Sequence, residues 1–419
     1  MKLFYLREHL RSSLWFIPTL CVIGVVALAF ALVRVDRRIG SDFLFDAGAD
    51  GARSVLSTIS SSMITFTGLV FSITIVVLQL ASQQFTPRVL RTFLRDRHSQ
   101  LALGVFVATF TYALIILREV RSEEAPGGAF VPGLAVGVAF ILVMLSLALF
   151  VDYIHHIAQS IRVGSITNSI GSETRDAISD IYDHEHTDKP LPLPAGKEIE
   201  TVPSPRSGVV TGLDRDRLVS LAATTGSVVE IVEGIGDFVP RGAPLLRLHG
   251  GDVEPTSAFT DCVGLGAERT MQQDPAFGFR QLVDIAERSL SPAVNDPTTA
   301  VQCLDEIHDL LRSLARRAFP SGQRFDKDGN LRLAFPVMTW DGYVSLAFNE
   351  IRYYGRDSIQ VHRRMRSVLL DLESAVDPGR LPPLRRQLRL LDAAAERHLV
   401  DEDDRAEARE ADDQGLGGS

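Results

Sequence analysis

Four long apolar runs, separated by short polar connections, fill the first 160 residues, and shorter amphipathic stretches punctuated by Gly and Pro follow. A helix needs roughly 20 apolar residues to cross about 30 Å of hydrocarbon. The runs over 14–33, 63–80, 101–117 and 131–151 each predict such a span. The first follows Arg7 and Arg11 and holds "AFA" at 29–31, which imitates the cleavage site of a secretory leader. Its apolar stretch is longer than the about 7–15 residues of a leader core, and three more spans follow, so a retained anchor is expected.

Polar residues interrupt the second run at intervals of seven: Thr58, Thr65, Ser72, Gln79 and Thr86. Positions seven apart differ by about 20° around a helix, so these five form one stripe, with Ser61, Gly68 and Ser82 along its flank. Two readings stand side by side. Small and hydroxyl residues let membrane helices approach and hydrogen-bond across their contact. Alternatively, copies of this helix surround a polar pathway in an oligomer, where an uncharged hydroxyl and amide lining suits a weakly selective pore. Gln79, the bulkiest member, is the candidate constriction or interhelical bridge.

Past the fourth run, Asp152, His155 and His156 share one helix face. That grouping suits a metal, a relayed proton or a pH response, or simply polar anchoring at the headgroup level beside Tyr153. The cluster at 182–186, "YDHEH", precedes the Pro-rich "KPLPLP" and reads as a solvated helix end.

The later pattern predicts a helix extension and Pro-rich linker over 161–200, then a β module over 201–252. There, short β-branched runs are bounded by turn residues. "GDFVPRGAPLL" is similar to one half of a barrel-sandwich hybrid, the small β-fold of biotinyl and lipoyl carriers. Such carriers attach their cofactor to a lysine in a tight turn; this stretch has none, so no cofactor is expected. The intervening "LDRDRLVSLAATTG" reads as a short helix. Residues 253–400 are expected to be mainly helical: Leu282, Ile285, Ala286 and Leu290 keep a helical period. Asp296 before Pro297 suits a cap and first helical position, and Val301, Leu304, Ile307 and Leu311 continue the next helix. The acidic stretch 401–419, in which Leu416 is the one large apolar residue, has too little to pack and is expected to be disordered. The expected class is a four-helix transmembrane domain over 1–160 joined to a soluble α+β domain with a barrel-sandwich-like β module.

Charge sharpens that division. Residues 1–160 hold 13 Lys and Arg against 10 Asp and Glu, while the remainder holds 30 against 42. An apolar, slightly basic half joined to an acidic half fits membrane and water, and the acidic sign argues against nucleic-acid partners. Three scattered cysteines give neither a disulfide framework nor a zinc site. Lys2, Arg7, Arg11 and the group Arg88, Arg91, Arg95 and Arg97 place both termini in the cytoplasm of a cell-membrane protein. No phosphate loop, nucleophile elbow, zinc-protease or dinucleotide motif occurs, so no catalytic residue is expected.

Three stretches, "FSITIVVLQLASQQFTPR", "GDFVPRGAPL" and "FGFRQLVDIAERSLSPAVNDPTTA", together resemble a widespread bacterial family of predicted membrane proteins defined only as a domain of unknown function. The resemblance spans about residues 5–400. It implies a four-span membrane region with a cytoplasmic mixed domain, and carries no catalytic roles. Matching signature positions are Gln79, Phe85, Pro87, Arg88, Arg280, Gln281, Asp284, Asn295, Asp296 and Pro297. Arg280 and Asp284, four apart, can pair, and Asn295 to Pro297 suit turn and cap chemistry; a ligand pocket would need such groups to converge. The leading expectation is a self-associating, channel-like protein in the lipid bilayer, with the soluble domain as sensor and its ion or ligand unspecified. The alternative is a non-transporting sensor or scaffold whose stripe only packs helices.

Overall fold

Backbone N–H and C=O groups in hydrocarbon must be satisfied within their own segment, which makes a long apolar run a helix. Among the described residues four helices are long and apolar enough to cross a membrane: α1 (Phe16–Ile39), α2 (Gly48–Gln84), α3 (Arg97–Glu119) and α4 (Gly133–Ser160). The structure, a computed structural model, describes residues 15–39, 48–84, 97–122, 129–160, 162–182, 191–193, 199–251 and 256–415. Residues 2–162 form one unit and 163–419 another.

In the first unit α3 is central, packing against α1, α2 and α4. Half of its span is buried, against about a fifth of each of the others. Gly104 permits one of these contacts: a Cβ there would lie 3.1 Å from both Cys21 Sγ and the Pro18 backbone of α1. Hydroxyls tie the rest together. Tyr112 on α3 donates to Ala135 O of α4 at 2.9 Å, and Thr109 meets Ser146 at 3.1 Å. Tyr153 on α4 donates to Val70 O of α2 at 3.2 Å and lies 2.8 Å from the Thr74 hydroxyl. Asp36, fully buried near the end of α1, accepts the Leu134 and Ala135 amides at 3.1 Å each. A carboxylate from one helix thereby caps the N-terminus of another.

In the second unit, α5 (Val163–Ile181) packs on α8 (Pro275–Ser289) and α9 (Pro297–Ala315). Between them in sequence come β1 (Ile199–Pro203), β2 (Gly208–Leu213), α6 (Arg215–Thr225), β3 (Val228–Ile231), β4 (Phe238–Val239), β5 (Pro244–His249), α7 (Ser257–Thr260) and β6 (Val263–Gly266). After α9 come β7 (Gln323–Phe325), β8 (Leu331–Ala334), α10 (Trp340–Tyr354), α11 (Ile359–Ala375), α12 (Leu381–His398) and α13 (Glu402–Ala408). The strands form two small sheets, β1-β5-β3-β8-β7 and β4-β2-β6. β8 pairs parallel with β3, and β6 pairs with β2, so strands from beyond residue 252 complete both sheets. An open edge exposes unpaired backbone groups, and these later strands cover two of them. Val210, Val229, Leu246, Phe259 and Leu333 share the core beneath α6.

Residues 401–415 correct the expectation of disorder over 401–419, of which 416–419 lie outside the described residues. Glu402–Ala408 is helix, and residues 409–415 lie against α11. Composition lacks an apolar anchor there, but it does not reveal that Arg363, Arg364 and Arg366 of α11 are waiting to receive carboxylates and carbonyls.

Candidate functional site

α2 carries two opposite seven-residue series. Leu56, Met63, Val70 and Val77 are each buried at 7% exposure or less, facing the other helices. Thr58, Thr65, Ser72 and Gln79 stand two residues further on, about 200° around the axis, and all four are exposed. The helices of one chain therefore meet through the first series, while the polar stripe looks outward. From Thr58 to Gln79 it rises about 32 Å, the full height of a bilayer core. Ser61 and Gly68 are exposed beside it. Thr86, with Phe85, Pro87 and Arg88, lies outside the described residues, as do Lys2, Arg7, Arg11, Arg91, Arg95 and 183–190.

Two stripe hydroxyls are satisfied locally. Thr58 donates to Ser54 O at 2.8 Å and Thr65 to Ser61 O at 3.0 Å. Such back-bonding lowers the cost of a hydroxyl in an apolar setting. The polar groups that join helices within the chain are different ones: Thr74, Tyr112, Thr109, Ser146, Tyr153 and Asp36. Sequence reasoning missed five of these six and took Tyr153, which is buried against α2, for a headgroup-level anchor. A single hydroxyl in an apolar run gives no sign of its orientation, and Asp36 reads as one more loop charge.

Asp152, His155 and His156 do not converge. Asp152 and His155 are exposed, and His155 lies 2.8 Å from Gln159 on its own helix. His156 instead stacks on His98 of α3, ring centroids 4.4 Å apart. No group of three or more His, Cys, Asp or Glu able to hold a metal occurs among the described residues.

The second locus is the signature helix pair, α8 and α9. Arg280 is a hub on α8. It pairs with Asp284 one turn on, with Glu287 at 3.1 Å, and with Glu350 of α10. Three carboxylates around one guanidinium leave negative charge in excess. Burial, aided by a hydrogen bond that the Glu287 carboxyl donates to Glu350, pushes Glu287 up to about 7 although Arg280 pulls it down. Glu287 thus keeps its proton at a pH where an ordinary glutamate has lost it. Gln281 and Asp284 are buried on the same helix.

The connection between α8 and α9 is turn chemistry. Asn295 adopts φ 49°, in the left-handed region that asparagine tolerates better than most residues. Its amide donates to Ser291 O at 2.9 Å, and the Asp296 amide donates to Ser289 O at 2.8 Å. The Asp296 carboxylate then caps α9, accepting from Thr299 N at 3.1 Å and the Thr299 hydroxyl at 2.6 Å, with Pro297 in the first turn. Residues 292–295 are exposed. Arg280, Gln281 and Asp284 sit together on α8, while Asn295, Asp296 and Pro297 build the turn and cap that launch α9.

A family model described as "Predicted membrane protein (DUF2254)" matches residues 11–371. An uncharacterized protein of Mycobacterium bovis and one of Mycobacterium tuberculosis are each 35% identical over 413 residues, covering 95% of this chain and 79% of theirs. No solved structure matches the chain.

Proposed function

The chain belongs to the DUF2254 family of predicted membrane proteins, and from that premise we propose a homo-oligomer in the cell membrane whose α2 helices surround a gated polar pathway. The observation that carries this reading is the outward stripe. Thr58, Thr65, Ser72 and Gln79 run the height of the bilayer on a face of α2 that stays exposed among the described residues. Four polar side chains in a row facing lipid are costly, and a second copy of the helix removes that cost. Gln79 is the constriction, Ser72 the next ring, and the soluble unit the regulator. Both termini lie in the cytoplasm, no reaction is catalysed, and neither a cofactor nor nucleic acid takes part.

The test is electrical. The purified chain in a planar bilayer with symmetric KCl gives discrete unitary currents, and Gln79→Leu and Ser72→Val change their amplitude. Flux unaltered by either substitution ends the pore reading. One observation favours the second reading, a non-transporting sensor or scaffold: the Thr58 and Thr65 hydroxyls are bonded to their own helix, as packing residues are. That reading gives silence across voltage, tension and pH, with Gln79→Leu shifting only assembly.

A further inference from the structure

Beside its buried apolar stripe of Val361, Met365, Val368 and Leu372, α11 carries a second buried stripe that is polar. Gln360, Arg363, Arg364 and Ser367 follow the i, i+3, i+4, i+7 spacing that normally points at a core. Arg363, Arg364 and Ser367 are buried, at 2%, 8% and 5% exposure. What covers them is the acidic end of the chain. Arg363 Nη1 meets Glu407 Oε1 at 3.0 Å, and Arg364 Nη1 donates to Asp413 O at 3.0 Å. The Ser367 hydroxyl donates to Asp413 Oδ1 at 2.6 Å, and Gln360 Nε2 donates to Gly415 O at 2.8 Å. All four residues of the face thus hold the same short segment, two through its carboxylates and two through its main-chain carbonyls. Arg366, beside them, reaches Ala408 O at 3.5 Å.

The segment brings almost nothing apolar. From Glu402 to Gly415 no apolar side chain is larger than alanine, and Ala408 is its member of a small cluster with Ala395 and Leu399. Glu407 is 46% exposed beside its arginine. Attachment through half-exposed charge and hydrogen bonds weakens with salt and yields to competitors. A segment so held belongs to the least stable part of a fold. The surface beneath it is not so disposable. Arg364 also pairs with Asp305 of the signature helix α9 at 2.7 Å. A Cβ at Gly415 would strike Val301 of that helix at 2.7 Å, so the segment presses on the flank of the signature motif.

We infer that this face of α11 is a binding surface for an acidic peptide, and that residues 401–415 occupy it in cis until an acidic segment of a partner protein displaces them. Arginine forks paired with carboxylates supply charge-assisted hydrogen bonds, and the carbonyl contacts read the backbone of an extended segment. The device is a built-in competitor: the tail sets the concentration at which a partner gains the flank of α9.

A protease site placed between Val400 and Asp401 of the full chain, purified in detergent, tests this. After cleavage, the released tail stays bound in low salt. A roughly tenfold rise in ionic strength, or an excess of synthetic peptide of residues 401–419, removes it while circular dichroism of the remaining helices holds. Fluorescently labelled 401–419 peptide then binds the emptied chain one to one, and binds the uncleaved chain at least tenfold more weakly. Peptide carrying Glu407→Lys and Asp413→Lys, or chain carrying Arg363→Gln, loses at least tenfold in affinity. A tail that resists both salt and peptide, or whose removal collapses the helices, is an integral part of the fold and overturns the inference. So does an emptied, folded chain that fails to bind the labelled peptide.

Discussion

Asp36 and Glu287 show how position, more than residue type, sets what a carboxylate does. Asp36 closes the N-terminus of α4 from another helix, accepting two amides. Asp36→Ala leaves those amides without an acceptor in an apolar setting, at a cost of about 1–3 kcal/mol. Thermal unfolding in detergent should drop accordingly, and Asp36→Asn, which keeps one acceptor, should recover part of the loss. Glu287 acts through its proton. Its folded-state value is raised from 4.5 to about 7, so the folded chain holds a proton that the unfolded chain releases. That stability is fully present below pH 4.5 and is lost as pH rises through about 7. Glu287→Gln should flatten this part of the pH profile of thermal stability. An unchanged slope would move the proton elsewhere.

At the scale of elements, helices lean on one another where side chains leave room. α1 and α3 touch at Gly104, where a Cβ would meet Cys21 and Pro18 at 3.1 Å. Gly104→Val should therefore push the pair apart and cost about 1–3 kcal/mol as overpacking does, read as a fall in the detergent unfolding temperature. The four spans were legible from their apolar runs, but α2 begins at Gly48, well before the run at 63, since its backbone bonds continue through the polar Ser and Thr residues between them. Apolarity marks where a helix meets lipid, not where its backbone bonds stop. The cap of Asp296 and Pro297 and the Arg280–Asp284 pair were legible too, since both are local. The hub's third carboxylate, Glu350, was not, for it arrives on α10 from 70 positions away. The order of the C-terminal segment escaped for the same reason: its partners lie on α11. Likewise β7 and β8 could not be assigned to the earlier strands from alternation alone.

At the scale of the whole molecule, the chain is an apolar four-helix unit and an acidic mixed unit. The account of function rests on the first. A chain whose buried heptad and exposed polar heptad share one helix presents a ready face to its own copies. Cysteine cross-linking in native membranes, on a background with Cys21, Cys262 and Cys303 all replaced by serine, tests that face most directly. Single cysteines at Thr65, Ser72 or Gln79 on the stripe should oxidise to linked copies. Cysteines at Val70, facing the bundle, or at Phe71, exposed to one side, should remain single. Equal linkage at Ser72 and Phe71, or none along the stripe, would contradict an assembly built around α2.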